Sequence, residues 1–238
     1  MKSERPPRLR FGLVCLGALI VGGIALALWW HAPGKSKAGP LEGKLIVFVR
    51  PPQQGVQSVP IEEQGALPAR AGGIMSLQAQ LEQPAFVYFV WLDAEGQALP
   101  LYPWNTTSLE VKDIHQPPPV RIAAKIVDSP LLGGGWKFGT QAGKETVLLL
   151  ARRTALPESI KLAELLQPLL PTMPGERPDE VVMLGWDAGA KSVTTILAKN
   201  RGEESEAKVA NEDLVALVKR LAEHFELVRA VRFVNAGE

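Results

Sequence analysis

Cysteine is almost missing from this chain. The single Cys15 lies inside an apolar stretch near the N-terminus, so no disulfide can close within one chain and no thiolate metal site can be assembled. Histidine is nearly as scarce. His31, His115 and His224 fall in a linker, a proline-rich loop and a surface helix, which gives no basis for a shared metal or a serine–histidine pair. An excess of either charge is also lacking: 26 basic against 25 acidic residues leave a net charge of +1, without the clustered basic face that nucleic acid requires. No internal repeat is evident. Long helical runs are few, because 20 prolines and 22 glycines among 238 residues favour turns and loops over a helical bundle.

What is present begins with residues 11–30, FGLVCLGALIVGGIALALWW, which carry no charged or strongly polar side chain. At about 1.5 Å per residue this run crosses a hydrocarbon layer of about 30 Å, and it reads as a transmembrane signal anchor. Lys2, Arg5, Arg8 and Arg10 precede it against Glu4 alone, so the positive-inside rule keeps the tip 1–10 cytoplasmic and puts the bulk outside the cytoplasm, which in a bacterial cell would be the periplasm. The alternative is a secreted protein cut after Ala25-Leu26-Ala27. The apolar run, however, continues into Trp29 and Trp30 and exceeds a signal-peptide core of about 7–15 residues. Ala18 with Gly22, and Gly23 with Ala27, have the small-residue spacing that lets two spans pack closely as a homodimer.

Residues 31–42, HAPGKSKAGPLE, read as a flexible linker, and 43–238 as one extracytoplasmic domain. Strands are expected at 44–50, stopped by Pro51-Pro52; at 74–81, which alternates; and at 85–92, which is apolar on both faces. Asp93-Ala94-Glu95-Gly96 should turn that strand into a return strand at 97–102. An irregular stretch from Pro103 through Pro119 precedes further strands at 120–127 and 145–151. A helix is expected over 157–170, a hairpin over 181–186 and 192–198, and a charged connector at 201–208. Asn211 should cap a last helix with Leu214, Val215, Leu217, Val218 and Leu221 as its apolar stripe, followed by a strand at 225–235. The fold class is α+β, with an antiparallel sheet or sandwich, a few helices and a C-terminal helix–strand unit.

Candidate chemistry is sparse. The stretch 139–146, GTQAGKET, imitates a phosphate loop, but its first glycine is one position too close, Glu145 stands where a hydroxyl should meet magnesium, and a strand follows. Asp93 and Glu95 are a carboxylate pair whose position in a turn explains them without catalysis. Asn105-Thr106-Thr107 matches a glycosylation sequon. Tyr102, Trp104 and Trp136 are the remaining candidates: the two tryptophans border loops and, if partly exposed, would form a recognition platform for a ligand or partner.

Three segments carry a resemblance: PAFVYFVWLDAEGQALPLYPW at 84–104, GKETVLLLARRTALP at 143–157 and HFELVRAVRFVNAGE at 224–238. Together they resemble a bacterial, planctomycete-type family of exported or membrane-anchored domains of unknown function. In that family a hydrophobic strand leads through D-x-x-G to P-L-Y-P. The resemblance implies one continuous domain over about 45–237, found alone or beside serine/threonine kinase, caspase-like or anti-sigma-like modules, with no catalytic residues to carry over. The expectation is a membrane-tethered binding, sensing or adaptor module. It is not read as an enzyme, uses no cofactor or metal, and meets a protein partner. A cell-envelope hydrolase and a structural component of an envelope assembly are the alternatives.

Overall fold

The computed structural model describes residues 39–53, 55, 57–104, 121–129, 135–167, 181–189, 191–199 and 212–238. The stretch expected to span a membrane, with Ala18, Gly22, Gly23 and Ala27, lies outside the described residues, as do His31, His115, the sequon, the connector at 201–208 and Asn211. No helix among the described residues is long and apolar enough to cross a membrane.

Pro40–Glu238 is one compact unit built mostly of antiparallel strands: β1 Gly43–Arg50, β2 Val59–Pro60, β3 Ile74–Leu92, β4 Ala98–Tyr102, β5 Ala124–Ser129, β6 Trp136–Lys137, β7 Gly143–Arg152, β8 Val181–Asp187, β9 Val193–Lys199 and β10 Leu227–Asn235. Two described helices, α1 Leu162–Leu165 and α2 Glu212–Leu221, complete it. The strands run in the order β2-β1-β3-β7-β10-β8-β9, with β4, β5 and β6 also pairing to β3.

The segments expected as separate strands at 74–81 and 85–92 are one strand of 19 residues. Its first half pairs with β1, from Ile74 opposite Arg50 to Leu81 opposite Gly43. Its second half pairs with β7, from Phe86 opposite Arg152 to Leu92 opposite Thr146. Pro84 falls where β3 exchanges one partner for the other, so its missing N–H interrupts neither ladder. Through this shared strand a first sheet (β2, β1, β3, β5, β6) folds over a second (β4, β3, β7, β10, β8, β9).

The second sheet is covered on both faces, which explains why its strands read as almost unbroken apolar runs. Between the sheets lie Val47, Leu77, Phe89, Leu149 and Val231. On the far face Tyr88, Leu148, Leu150 and Val228 meet Leu214, Leu217, Val218 and Leu221 of α2. Glu212 and Asp213 open that helix and Lys219 and Arg220 close it, matching its dipole.

Two arginines in β10 fasten the layers, one on each face. Arg229 donates through Nε to the Gly43 carbonyl at 3.0 Å, through Nη1 to the Trp186 carbonyl at 3.0 Å and through Nη2 to Asp187 Oδ1 at 2.6 Å. It thereby ties the start of β1 to the end of β8. Arg232 points the other way, donating to Thr146 Oγ1 at 3.0 Å and to Asp213 Oδ1 at 2.9 Å. Burial alone would raise the Asp213 carboxyl, but the hydrogen bond and charge of Arg232 overcome it and hold it below its usual range.

The other departures are local. The expected helix over 157–170 is, within the described residues, only the single turn of α1. Lys161 at its start offers no side-chain cap, and Pro157 heads a separate turn, with Ile160 N donating to its carbonyl at 3.0 Å. The strand expected at 120–127 begins instead at Ala124. Trp136, which the sequence places beside a loop, lies with Lys137 in β6, where the two pair with Met75 and Ile74.

Candidate functional site

At the end of the sandwich where β7 begins, an inward-facing position is occupied by an acid. Alternation places Glu145 on the same face as Val147, Leu149 and Ala151, which fill the space between the sheets. Glu145 is 2 % exposed. Trp91 of β3 donates through Nε1 to Glu145 Oε2 at 2.6 Å, and Asn235 of β10 donates through Nδ2 to Oε1 at 3.0 Å. Asn235 is itself fixed, giving a second contact to the Gly139 carbonyl at 3.2 Å and accepting from the Gly237 N–H at 3.0 Å. Gly237 makes this return with φ +71, a conformation that suits glycine.

A cavity of about 440 Å³ opens at this carboxyl, with Trp91, Asp93, Glu95, Trp136 and Thr140 among its walls. Both hydrogen-bond donors to Glu145 are neutral, and among the described residues no ion pair reaches its carboxyl, although Lys137 also lines the cavity. Burial therefore pushes its pKa up to about 7, and the charge of Asp93 adds to the rise, while the bonds from Asn235 and Trp91 oppose it. Near neutral pH this carboxyl can take up or release a proton when something charged enters the cavity.

The titration has a measurable consequence. The folded state holds the Glu145 proton between the ordinary value of 4.5 and about 7, whereas the unfolded chain releases it. Stability is thus expected to fall by about 3 kcal/mol as pH rises through that window and to level off above it. Asp213 acts oppositely: its contribution is present above its ordinary 3.8 and is lost as pH falls through its depressed value. Thermal melts across pH 4 to 8 should show the decline, and Glu145→Gln should flatten it. The amide has one acceptor oxygen for two donors, a loss of about 1–2 kcal/mol, so the variant should melt below the wild type at pH 5 and above it at pH 8. Parallel curves would sink this assignment.

The aromatic candidates part company. Trp104 and Trp136 are 4 % and 3 % exposed, so the expected exposed platform is corrected to buried rings. They also lie on opposite faces of the second sheet: Trp104 packs in the core beside α2, with its ring 6.0 Å from that of Tyr88, and Trp136 in the core between the sheets. Tyr102 is half-buried, its ring 6.0 Å from that of Phe89. Of the three, only Trp136 borders the cavity. The reason is register: β6 hydrogen-bonds Trp136 into the first sheet, and β4 carries Trp104 to the covered side of the second.

Asp93 performs the turn chemistry expected of it, accepting from Glu95 N at 3.0 Å and Gln97 N at 2.8 Å. The same turn places it at the cavity. His224 is half-buried at the end of α2. Among the described residues no three His, Cys, Asp or Glu side chains gather to hold a metal ion. Glu145, Asn235 and Arg229 were not legible as a functional or structural set. The available signal was polar residues standing at inward parity in the runs ETVLLLA and LVRAVRFVN. The chain matches no family model, no characterised protein and no solved structure.

Proposed function

We propose that this protein is a membrane-tethered extracytoplasmic binding or sensing module, anchored through residues 11–30, whose receptor is the cavity at Glu145. One observation carries the reading: a buried carboxyl, oriented by two neutral donors, Trp91 and Asn235, borders a cavity whose other charged residues are Asp93, Glu95 and Lys137. Such a group is held ready for a positively charged or hydrogen-bond-donating ligand, because the fold rather than the ligand meets the cost of orienting it. The resemblance to exported domains that accompany signalling proteins supports a protein partner.

A second reading, an envelope hydrolase, is favoured by the same walls. Glu145 with its raised pKa and the carboxylates of Asp93 and Glu95 could divide the roles of acid and base.

The two readings separate in one experiment. A photo-crosslinking residue placed at exposed Thr140 or Gln141 in the full-length protein, in its native membranes, should repeatedly capture one partner. Charge reversal by Glu95→Lys should reduce that capture. Mass spectrometry of the same sample should find the N-terminus retained. Hydrolysis of envelope polymer that disappears with Glu145→Gln would overturn the binding reading in favour of the enzyme. A mature N-terminus near Leu28 would overturn the tether.

A further inference from the structure

A second, larger cleft lies away from the Glu145 cavity, where β1 passes over the inner face of β8 to β10; it is about 740 Å³. One of its walls is a strand edge. Ile61 N donates to the Val47 carbonyl at 2.8 Å, so the polar groups of Val47 point to the β2 side of β1. In an antiparallel strand the N–H and C=O of one residue point the same way and reverse at the next. Those of Leu45 and Gly43 therefore face that edge too. Yet β2 is only Val59–Pro60 and pairs with Phe48 and Val49, so among the described residues no strand lies beside 43–46. The Gly43 carbonyl already accepts a donor there, Arg229 Nε at 3.0 Å.

The floor is apolar, with Leu45, Met183 and Ile196. Ile196 is 55 % exposed, among the few large aliphatic side chains so placed. The rim is acidic. Glu42 and Glu82 are brought together by the hydrogen bond from Glu82 N to the Glu42 carbonyl at 3.1 Å, and Glu62 stands with them. Asp187 and Arg229 are committed to each other at 2.6 Å, leaving Lys44 as the other basic residue of the lining against Glu42 and Glu82.

We propose that this cleft binds an extended peptide with alternating basic and aliphatic residues, which adds as a strand to the outer edge of β1. Backbone pairing runs through Leu45, the aliphatic side chains go down onto Met183 and Ile196, and the basic side chains reach Glu42 and Glu82. Strand addition of this kind takes its affinity from main-chain bonds and its specificity from alternate side chains. The acidic rim selects cationic sequences and rejects acidic ones. This inference does not rest on the Glu145 cavity.

The test uses the full-length protein in zwitterionic lipid nanodiscs, with empty nanodiscs as blank, and a fluorescent octapeptide of alternating lysine and valine. Saturable anisotropy with a micromolar Kd is expected, with the glutamate–valine counterpart weaker by about tenfold or more. N-methylation of alternate peptide amides should abolish binding in one register and spare it in the other, because only one set of N–H groups faces β1. Ile196→Lys, a change at an exposed side chain, should weaken binding by about tenfold with the melting temperature unchanged. The proposal is overturned by the absence of binding, by equal affinity for the acidic peptide, by equal sensitivity to both methylation registers, or by indifference to Ile196→Lys. Concentration-dependent dimers dispersed by Ile196→Lys would overturn it as well, by assigning the edge to a second copy of the chain.

Discussion

Arg229→Ala is expected to lower the stability of the domain by about 3–5 kcal/mol, as found when one partner of a buried, hydrogen-bonded charge pair is removed. The size follows from what the truncation strands. The carbonyls of Gly43, Trp186 and Val228 lose donors at 3.0 Å. Asp187, whose side chain is 28 % exposed, loses its ion pair. The arginine fits because residue 185 is glycine: a Cβ there would stand 3.2 Å from Arg229 Nη1 and 2.7 Å from Ile196 Cδ1. Lysine should rescue little, since a single ammonium cannot reproduce a fork aimed at four acceptors on three strands. Asp187→Asn should cost less than Arg229→Ala, which would assign most of the effect to the three carbonyls. Urea denaturation of the three variants checks this. A loss below about 1 kcal/mol for Arg229→Ala would mean that the sheets are held by apolar packing alone.

Trp104→Ala should be of similar size, about 3–5 kcal/mol, from lost burial and the void left behind. The side chain sits against Tyr88, whose hydroxyl accepts from Leu156 N at 2.8 Å, and Tyr88 in turn meets Phe225 with ring centroids 6.0 Å apart. Removing the indole therefore loosens the packing around the segment that leads into α1 as well as its own site. Trp104→Phe should recover part of the loss by filling part of the space. Melting temperatures and the near-ultraviolet signal of the buried tyrosine provide the readout. A variant that melted like the wild type would return this ring to the surface and restore a recognition role.

Periodicity made much of the architecture legible. The runs at 44–50 and 145–151, the hairpin ending at 102, the paired strands near 181–198 and the last helix and strand lie within a few residues of where their patterns place them. What failed were features set by distant partners. Glu82-Gln83-Pro84 reads locally as a break, and only the exchange of β1 for β7 allows one strand to run through it. Trp136 follows three glycines and reads as loop, until its pairing with Met75 draws it inward. Apolar spacing over 157–170 suggested a helix, although neither a capping side chain nor a proline-free run was there to sustain one.

The site was less legible than the fold. Glu145 drew notice only as a residue that spoils a phosphate loop. Its environment is made by Trp91 and Asn235, which are 54 and 90 positions away in the chain. An inward acid in an apolar strand is a visible anomaly, but its meaning depends on whether a cation or two neutral donors meet it.

The long strand β3 also governs how the domain can come apart. Because the same 19-residue strand supplies a ladder to β1 in one sheet and to β7 in the other, neither sheet can open without fraying the backbone that the other depends on. The domain has no seam along which half of it could unfold while the other half persists. Its breathing motions are thereby driven to the strands with a single partner, β2 and β9 at the ends of the order and β4, β5 and β6 beside β3, and the backbone amides of β3 should be the last to exchange with solvent.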